Sequence, residues 1–332
     1  MNEHPQIAVS VIIPVLNEEA VIARCLQSLA EQTLPRDAFE VIVVDNGSQD
    51  RTIAIAQRFD GALRLRVLDR EGVPVSAMRN SGAAVARGRF LAFLDADCIA
   101  PPHWLKLAMN PLGVAGGGLI GAHYTIPPGS SWVARAWYGD MGERKRGCVS
   151  YVPAGSMLVS RELFLQLGGF DETLETSEDC EFCQRISAAG HTVEAIPALS
   201  VVHLGTPQTV AAFYRKERWH GTDVHTVFLR NMLRSASAKA TLFALYTLCS
   251  LAGLAVGGAA AWMSGNREVA AWAVLAALAG PILLAGRAAA QRKRLGLVAP
   301  LAFLYLVYGV ARGLCLLGIA SSRRAEPAPT HA

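Results

Sequence analysis

Charge is scarce in this chain. Asp, Glu, Lys and Arg make up only 17 % of its 332 residues, against 52 % apolar ones, and that balance excludes a wholly soluble protein. The net charge of +4 is small, and no nucleic-acid partner is expected. A leader-like start is also missing: residues 1–8 are polar, and the first apolar stretch, residues 9–15, is short and runs into a polar loop. The domain that follows is therefore expected to stay in the cytosol. The seven cysteines are scattered and odd in number, which excludes a disulfide framework. Cys180 and Cys183 stand close together but have no second pair at zinc-site spacing, so helix packing is their expected role.

The shortage of charge is uneven. Up to about residue 235 the composition is ordinary, whereas residues 240–264 carry no charge at all, long enough to cross a bilayer. Residues 269–286, with Pro281 inside, and 295–320, with Arg312 inside, predict two further spans. Arg230, Arg234 and Lys239 precede the first span, and Arg287, Arg292, Lys293 and Arg294 fill the break between the second and third. Both segments are expected on the cytoplasmic side of an inner, cytoplasmic membrane crossed several times. Three full spans would send the tail outward, against the weak signal of Arg323 and Arg324. Arg312 either snorkels, lines the bundle interior, or marks a third element that lies in the interface and returns.

What is present in the first half is chemical. The segment 89–98, Arg-Phe-Leu-Ala-Phe-Leu-Asp-Ala-Asp-Cys, reads as a buried strand ending in Asp95 and Asp97. Alternate residues of a strand share a face, so the two carboxylates converge where Mg²⁺ or Mn²⁺ can bind; a polar strand end with an Asp-initiated turn is the plainer alternative. Strands are expected at 8–14, 40–44, 63–68 and 89–95, with helices at 18–31, 50–59 and 74–87 between them. This repeat predicts an α/β fold with a mostly parallel sheet, which binds ligands at the carboxyl ends of its strands. Three polar clusters fall there: Pro-Val-Leu-Asn-Glu-Glu at 14–19, Asp-Asn-Gly-Ser-Gln-Asp at 45–50, and Asp-Ala-Asp at 95–97. Asp50 suits a helix cap and Asn46-Gly47 a turn, while Asp45 is expected to meet a base or ribose rather than a local turn. Arg79 is suited to a diphosphate, with a solvated helical arginine as its alternative.

The order of these segments resembles the family 2 glycosyltransferases over roughly residues 8–220. The resemblance implies a nucleotide-sugar-binding GT-A fold followed by a C-terminal transmembrane helical region. It places Pro14, Asn17, Glu18 and Asp45 around the nucleoside, Arg79 near the phosphates, and Asp95 and Asp97 on the sugar-nucleotide with a divalent metal, Mg²⁺ or Mn²⁺. Asn46 departs from the common Asp-Asp pair. Residues 152–159, 168–172 and 177–179 resemble the acceptor-side segments, with Gly155, Ser156 and Glu178 on the acceptor side and Asp179 as the base; a helix cap is the alternative for Asp179. By the same resemblance His203 approaches the diphosphate or metal.

Arg215-Lys-Glu-Arg218-Trp219 resembles the Gln-x-x-Arg-Trp element of membrane polysaccharide synthases, with Arg215 in place of Gln. Arg218 and Trp219 are thus acceptor-side candidates, on a segment, 210–234, that also reads as a basic amphipathic helix on the anionic leaflet. Trp132, Trp137 and Tyr138, near residues 144–146, suggest a second interfacial or acceptor-covering segment, or a surface loop. The expected organisation is a cytoplasmic catalytic domain (1–207), an interfacial segment (208–239), a transmembrane region (240–320) and a polar tail (321–332).

The whole reads as a membrane-anchored inverting glycosyltransferase that moves a sugar, from a UDP-sugar, to a glycan or lipid-linked acceptor in polysaccharide or glycolipid synthesis. A polyprenyl-phosphate glycosyltransferase, a non-catalytic nucleotide-sugar sensor or membrane scaffold, and a nucleotidyltransferase are the alternatives.

Overall fold

A computed structural model describes residues 7–109, 118–139, 146–231 and 237–318. The chain divides into two compact units. The expectations for Arg234, Arg323, Arg324, residues 144–145 and the tail lie outside the described residues.

The first unit is an α/β sheet. It opens with β1 (Val9–Val15), α1 (Ile22–Ala30), β2 (Phe39–Asp45), α2 (Thr52–Gln57), β3 (Leu65–Asp69), α3 (Val75–Val85) and β4 (Phe90–Leu94). It continues with β5 (Cys98–Ile99), α4 (Trp104–Ala108), β6 (Leu119–Gly121), β7 (Gly147–Cys148), β8 (Ser156–Ser160), α6 (Arg161–Gln166), α7 (Glu178–Ala188), β9 (Val193–Ala195) and β10 (Val202–His203). Helix α5 (Trp132–Tyr138) falls between β6 and β7 in the chain but belongs to the second unit.

Eight strands pair in the order β3-β2-β1-β4-β8-β6-β9-β7. The four opening strands are mutually parallel, while β8 runs antiparallel to both β4 and β6. The chain leaves β1 toward β2 and β3 and returns to place β4 on the other side. That reversal opens a crevice at the carboxyl ends of β1 and β4. Alternation along β1 builds the two faces: Val11 and Ile13 pack with Ile22 and Leu26 of α1, and Ile12 packs with Met78 and Ala83 of α3. Gly82 lets α3 lie close on the sheet, since a Cβ there would strike Ile12 at 2.5 Å. Helix α1 starts later than the expected residue 18: residues 19–21 form a turn, and Glu18 N and Glu19 N bond to Thr52 and Asp50.

The second unit holds α5, α8 (Val210–His220), α9 (Val224–Asn231), α10 (Ser237–Ser264), α11 (Arg267–Gln291) and α12 (Val298–Leu316). The stretch expected as one interfacial helix is thus two, α8 and α9, and α8 buries Phe213 and Glu217 against other helices. Residues 132–138 are helical and capped by Ser131, not a surface loop. Trp137 sits among Phe213, Tyr305 and Tyr308, with ring centroids 4.9 to 5.5 Å away.

Three helical stretches, Ala238–Ser264, Arg267–Gln291 and Leu295–Leu316, are long and apolar enough to cross a membrane. Their outer faces are apolar as well, with Trp262, Trp272 and Leu283 exposed. Inside α11 the Tyr246 hydroxyl accepts from Gly280 N, at 2.9 Å, and donates to Ala276 O. It has entered the helical bond between residues four apart, one residue before Pro281, which has no N–H to give. Arg312 neither snorkels nor stands alone: it is buried on α12 and paired with Glu217 of α8.

Candidate active site

The crevice walls are built from loops that leave β1, β2 and β4. Asn17 takes a left-handed conformation, φ 55°, and accepts from Gln49 N at 2.8 Å while its own N–H reaches Ser48 Oγ at 3.0 Å. Glu18 N and Glu19 N donate to Thr52 Oγ1 and Asp50 Oδ2. Asn17 is therefore a cross-link between two strand ends. Asp50 accepts from Thr52 N, the first residue of α2, at 2.9 Å, while the N-cap position itself is Arg51. Asp45 is buried and accepts from Ser48 N and Ser48 Oγ, the latter at 2.6 Å, so the local turn that competed with a ligand role is made. Pro14 is the sixth residue of β1 and pairs with Val44.

At the floor, Arg79 of α3 joins two carboxylates, Asp95 just after β4 and Glu178 at the start of α7. Its Nη2 lies 2.7 Å from Asp95 Oδ1 and its Nη1 2.5 Å from Glu178 Oε1. Arg79 is 4 % exposed, which overturns the solvated-helix alternative. Both of its terminal nitrogens are engaged with protein carboxylates, the pairing a buried guanidinium requires. Glu178, the acceptor-side candidate, is buried in this ion pair. Ser156, also expected there, is fully buried and donates to Leu199 O at 2.8 Å. Arg218 and Trp219 lie on α8 of the second unit, where Trp219 is 46 % exposed.

Asp95 accepts a second bond, from the Tyr124 hydroxyl at 3.1 Å. Burial pushes its carboxyl up, but Arg79 and His203, helped by Tyr124, outweigh this and hold it below the usual range. Gly155 packs against this pair: a Cβ there would enter the Asp95 carboxylate and lie 2.6 Å from the Tyr124 hydroxyl. Tyr124 was not foreseen, and its only sequence signal is a polar aromatic just beyond the short apolar strand β6.

The short pair β5–β10 sets His203 opposite Cys98. His203 Nε2 then stands 3.6 Å from Asp97 Oδ2, and the His203 ring lies 4.6 Å from that of Tyr124. One ligand atom each from Asp95, Asp97, Cys98 and His203 fall within 4.8 Å of one another. Two carboxylates and an imidazole suit a hard divalent cation such as Mn²⁺ or Mg²⁺. With both Asp95 oxygens hydrogen-bonded, Asp97 and His203 are the better-placed donors.

Asp179 lies in the first turn of α7. Its Oδ1 accepts from Cys180 N at 2.7 Å and its Oδ2 from Ala154 N at 3.3 Å. Burial, then the neighbouring Glu178 charge, push its carboxyl up to about 7. Glu18 is pushed up to about 8 by burial and by Asp97 and Asp95. Cys180 and Cys183 are buried in the packing of α7 as expected, and the described cysteines are all free thiols.

Residues 10–164 match the model of glycosyl transferase family 2, and residues 90–286 match that of glycosyl transferase family group 2. Glycosyltransferase AglE of Haloferax volcanii is 33 % identical over 195 residues, covering 56 % of this chain and 63 % of that protein. A validoxylamine A glucosyltransferase of Streptomyces hygroscopicus is 38 % identical over 99 residues, 29 % of this chain and 22 % of that one. The chain thus covers less than two thirds of the length of these curated relatives. A mannosyltransferase of Pyrobaculum calidifontis, solved with GDP-Man and Mn²⁺, superposes with a TM-score of 0.63 at 22 % identity, over 92 % of this chain and 86 % of that one. That likeness shows the fold, a GT-A nucleotide-sugar-binding sheet. With the second family match covering more than half of its length, this chain belongs to the family 2 glycosyltransferases.

Proposed function

We propose that the protein is a membrane-anchored, inverting, metal-dependent glycosyltransferase acting at the cytoplasmic face. It takes a hexose from a nucleotide-sugar, a UDP-sugar in our reading, and adds it to a glycan or lipid-linked acceptor. One observation carries this: the adjacent residues Ala154 and Gly155 hold Asp179 through the Ala154 amide and press on Asp95, so a carboxylate pushed up to about 7 stands beside the Asp95–Asp97 floor.

In that reading Asn17, Glu18 and Asp45 line the nucleoside wall, and Pro14 shapes its base. A divalent cation held by Asp97 and His203 would offset charge on the leaving diphosphate. Asp179 accepts the proton of the acceptor hydroxyl as that oxygen bonds to the anomeric carbon and the carbon–diphosphate bond breaks on the opposite face. Arg79 and Tyr124 hold Asp95 in one orientation. Support for hexosyl donors comes from the glucosyltransferase and the GDP-Man-bound mannosyltransferase among its relatives. Support for the membrane comes from the three apolar helices, with the basic break 287–294 favouring a cytoplasmic turn.

The test is Mn²⁺-dependent release of nucleoside diphosphate from a panel of nucleotide-sugars by the full-length protein in detergent, with membrane lipid extract as acceptor. Release lost in both Asp97→Ala and Asp179→Asn supports the reading, and pyrophosphate as the product overturns it. A sensor would bind donor through Asp97 and release nothing with any acceptor.

A further inference from the structure

On α3, Ser76, Arg79 and Asn80 stand three and four residues apart and so share one face. Each bonds a different point of the segment 170–178, which lies between α6 and α7. Ser76 Oγ donates to Leu174 O at 3.2 Å, and Arg79 pairs with Glu178. Asn80 commits its whole amide to the start of that segment. Its Nδ2 donates to Phe170 O at 2.9 Å and to Glu172 Oε1 at 2.8 Å, while its Oδ1 accepts from Phe170 N at 2.9 Å. Both backbone groups of Phe170 are therefore held by one side chain.

The turn before Phe170 is shaped to admit that amide. Gly169 is left-handed, φ 70°, and a Cβ on it would lie 2.6 Å from Asn80 Oδ1. From the other side Arg185 of α7 donates to Leu167 O at 2.5 Å and to Gly169 O at 2.6 Å. At the far end of the segment Ser177 is left-handed as well, φ 64°, a costly conformation for a residue with a side chain, which the bonds on either side must hold. Asp179 follows two residues later. The buried Phe170 ring connects the segment to the site. Its centroid lies 5.1 Å from that of Phe93, two residues before Asp95, and 5.1 Å from that of Phe182, three residues after Asp179. Phe170 is thus a spacer between the strand that leads into Asp95 and the helix whose first turn carries Asp179.

We propose that Asn80 is a positioning residue for sugar transfer: by fixing Phe170 between β4 and α7 it sets the separation of Asp179 from Asp95 and Asp97. The inference rests on the reading of Asp179 as the base. Among the described residues the Asn80 side chain bonds only to Phe170 and Glu172. Its loss should therefore slow transfer through a misplaced base and leave donor and metal binding unchanged.

A double-mutant cycle on the full-length protein in detergent tests this, read as Mn²⁺-dependent release of nucleoside diphosphate from the same panel of nucleotide-sugars with membrane lipid extract as acceptor. Asn80→Ala should lower release by about 10- to 100-fold. Binding of UDP or GDP with Mn²⁺, measured by calorimetry, should stay within about twofold of the unsubstituted protein. In the Asp179→Asn background the same change should cost less than about twofold, because an absent base cannot be misplaced. Phe170→Leu, which narrows the spacer and keeps the bonds to Asn80, should give the same pattern. Hydrogen exchange in Asn80→Ala should rise over 170–181 and stay unchanged over β1 and β2. Equal losses with and without Asp179, weakened nucleotide binding, or unchanged release in both variants overturns the inference, as does exchange that rises across the whole sheet. If Asp179→Asn alone leaves release intact, the reading of Asp179 as the base falls as well, whereas loss in Asp179→Asn with an additive effect of Asn80→Ala overturns the positioning role alone.

Discussion

Arg312 donates to Glu217 through both Nε, at 3.2 Å, and Nη2, at 2.7 Å, and both residues are buried. The cation of an apolar helix is thereby neutralised by a helix 95 residues earlier. Removing one member strands the other, so Glu217→Gln or Arg312→Met should each cost about 3 to 5 kcal/mol, whereas Glu217→Met with Arg312→Met together should cost much less. Thermal unfolding of the four proteins in detergent reads this directly.

Donor turnover should follow Asp179. The base works deprotonated, so the rate of nucleoside diphosphate release should rise with pH through about 7 and then level. Asp179→Asn should lower it by about 10² to 10⁴ and flatten the profile. If the acceptor is a lipid phosphate, which needs less activation, the loss should be smaller.

The same carboxyl makes a separate prediction for stability. Its folded-state value is raised, so its favourable contribution is complete below the ordinary aspartate range and is lost as pH rises through about 7. Asp179→Asn should therefore stabilise the fold at pH 8, by about 1 to 2 kcal/mol for a part-exposed group, and leave it unchanged near pH 3. Denaturant midpoints at the two pH values test the sign.

Tyr124→Phe should keep the fold and lose the bond to Asp95, about 1 kcal/mol of orientation and roughly tenfold in turnover. Gly155→Ala should be far worse, because its methyl group meets the Asp95 carboxylate. Steady-state rates of the two variants at saturating Mn²⁺ separate a lost bond from a steric intrusion.

Chelation should abolish turnover and Mn²⁺ restore it. His203→Ala should raise the Mn²⁺ concentration required by about one to two orders of magnitude while leaving nucleotide binding without metal unchanged. A metal titration of turnover in both proteins checks the first claim, and calorimetry with the nucleoside diphosphate the second.

Local pattern made the opening sheet legible. The ends of β1, β2 and β4 fall within a residue or two of their expected places, because apolar alternation and an abrupt polar cluster are properties of neighbouring residues. The three apolar helices were legible for the same reason, by length and lack of charge. Long-range pairing was not. Nothing near Arg79 announces Glu178, 99 residues away, with which it forms a buried bridge. Nothing near Ser156 announces the Leu199 carbonyl to which it donates, 43 residues away. The partners of Trp137, namely Phe213, Tyr305 and Tyr308, come from two helices distant in sequence, so its packing has no local signal. Tyr124 has only its place just beyond β6 to mark it, and its partner Asp95 is 29 residues away.

The cross-link between Asn17 and residues 48–49 has a thermodynamic consequence. Because Asn17, Glu18 and Glu19 are already tied to Ser48, Asp50 and Thr52, the loops after β1 and β2, the nucleoside wall of the proposed reading, are joined in the fold itself. Binding there proceeds without an ordering penalty, so the heat-capacity change on nucleotide association should match the apolar surface covered by the base alone, with no added contribution from a closing loop.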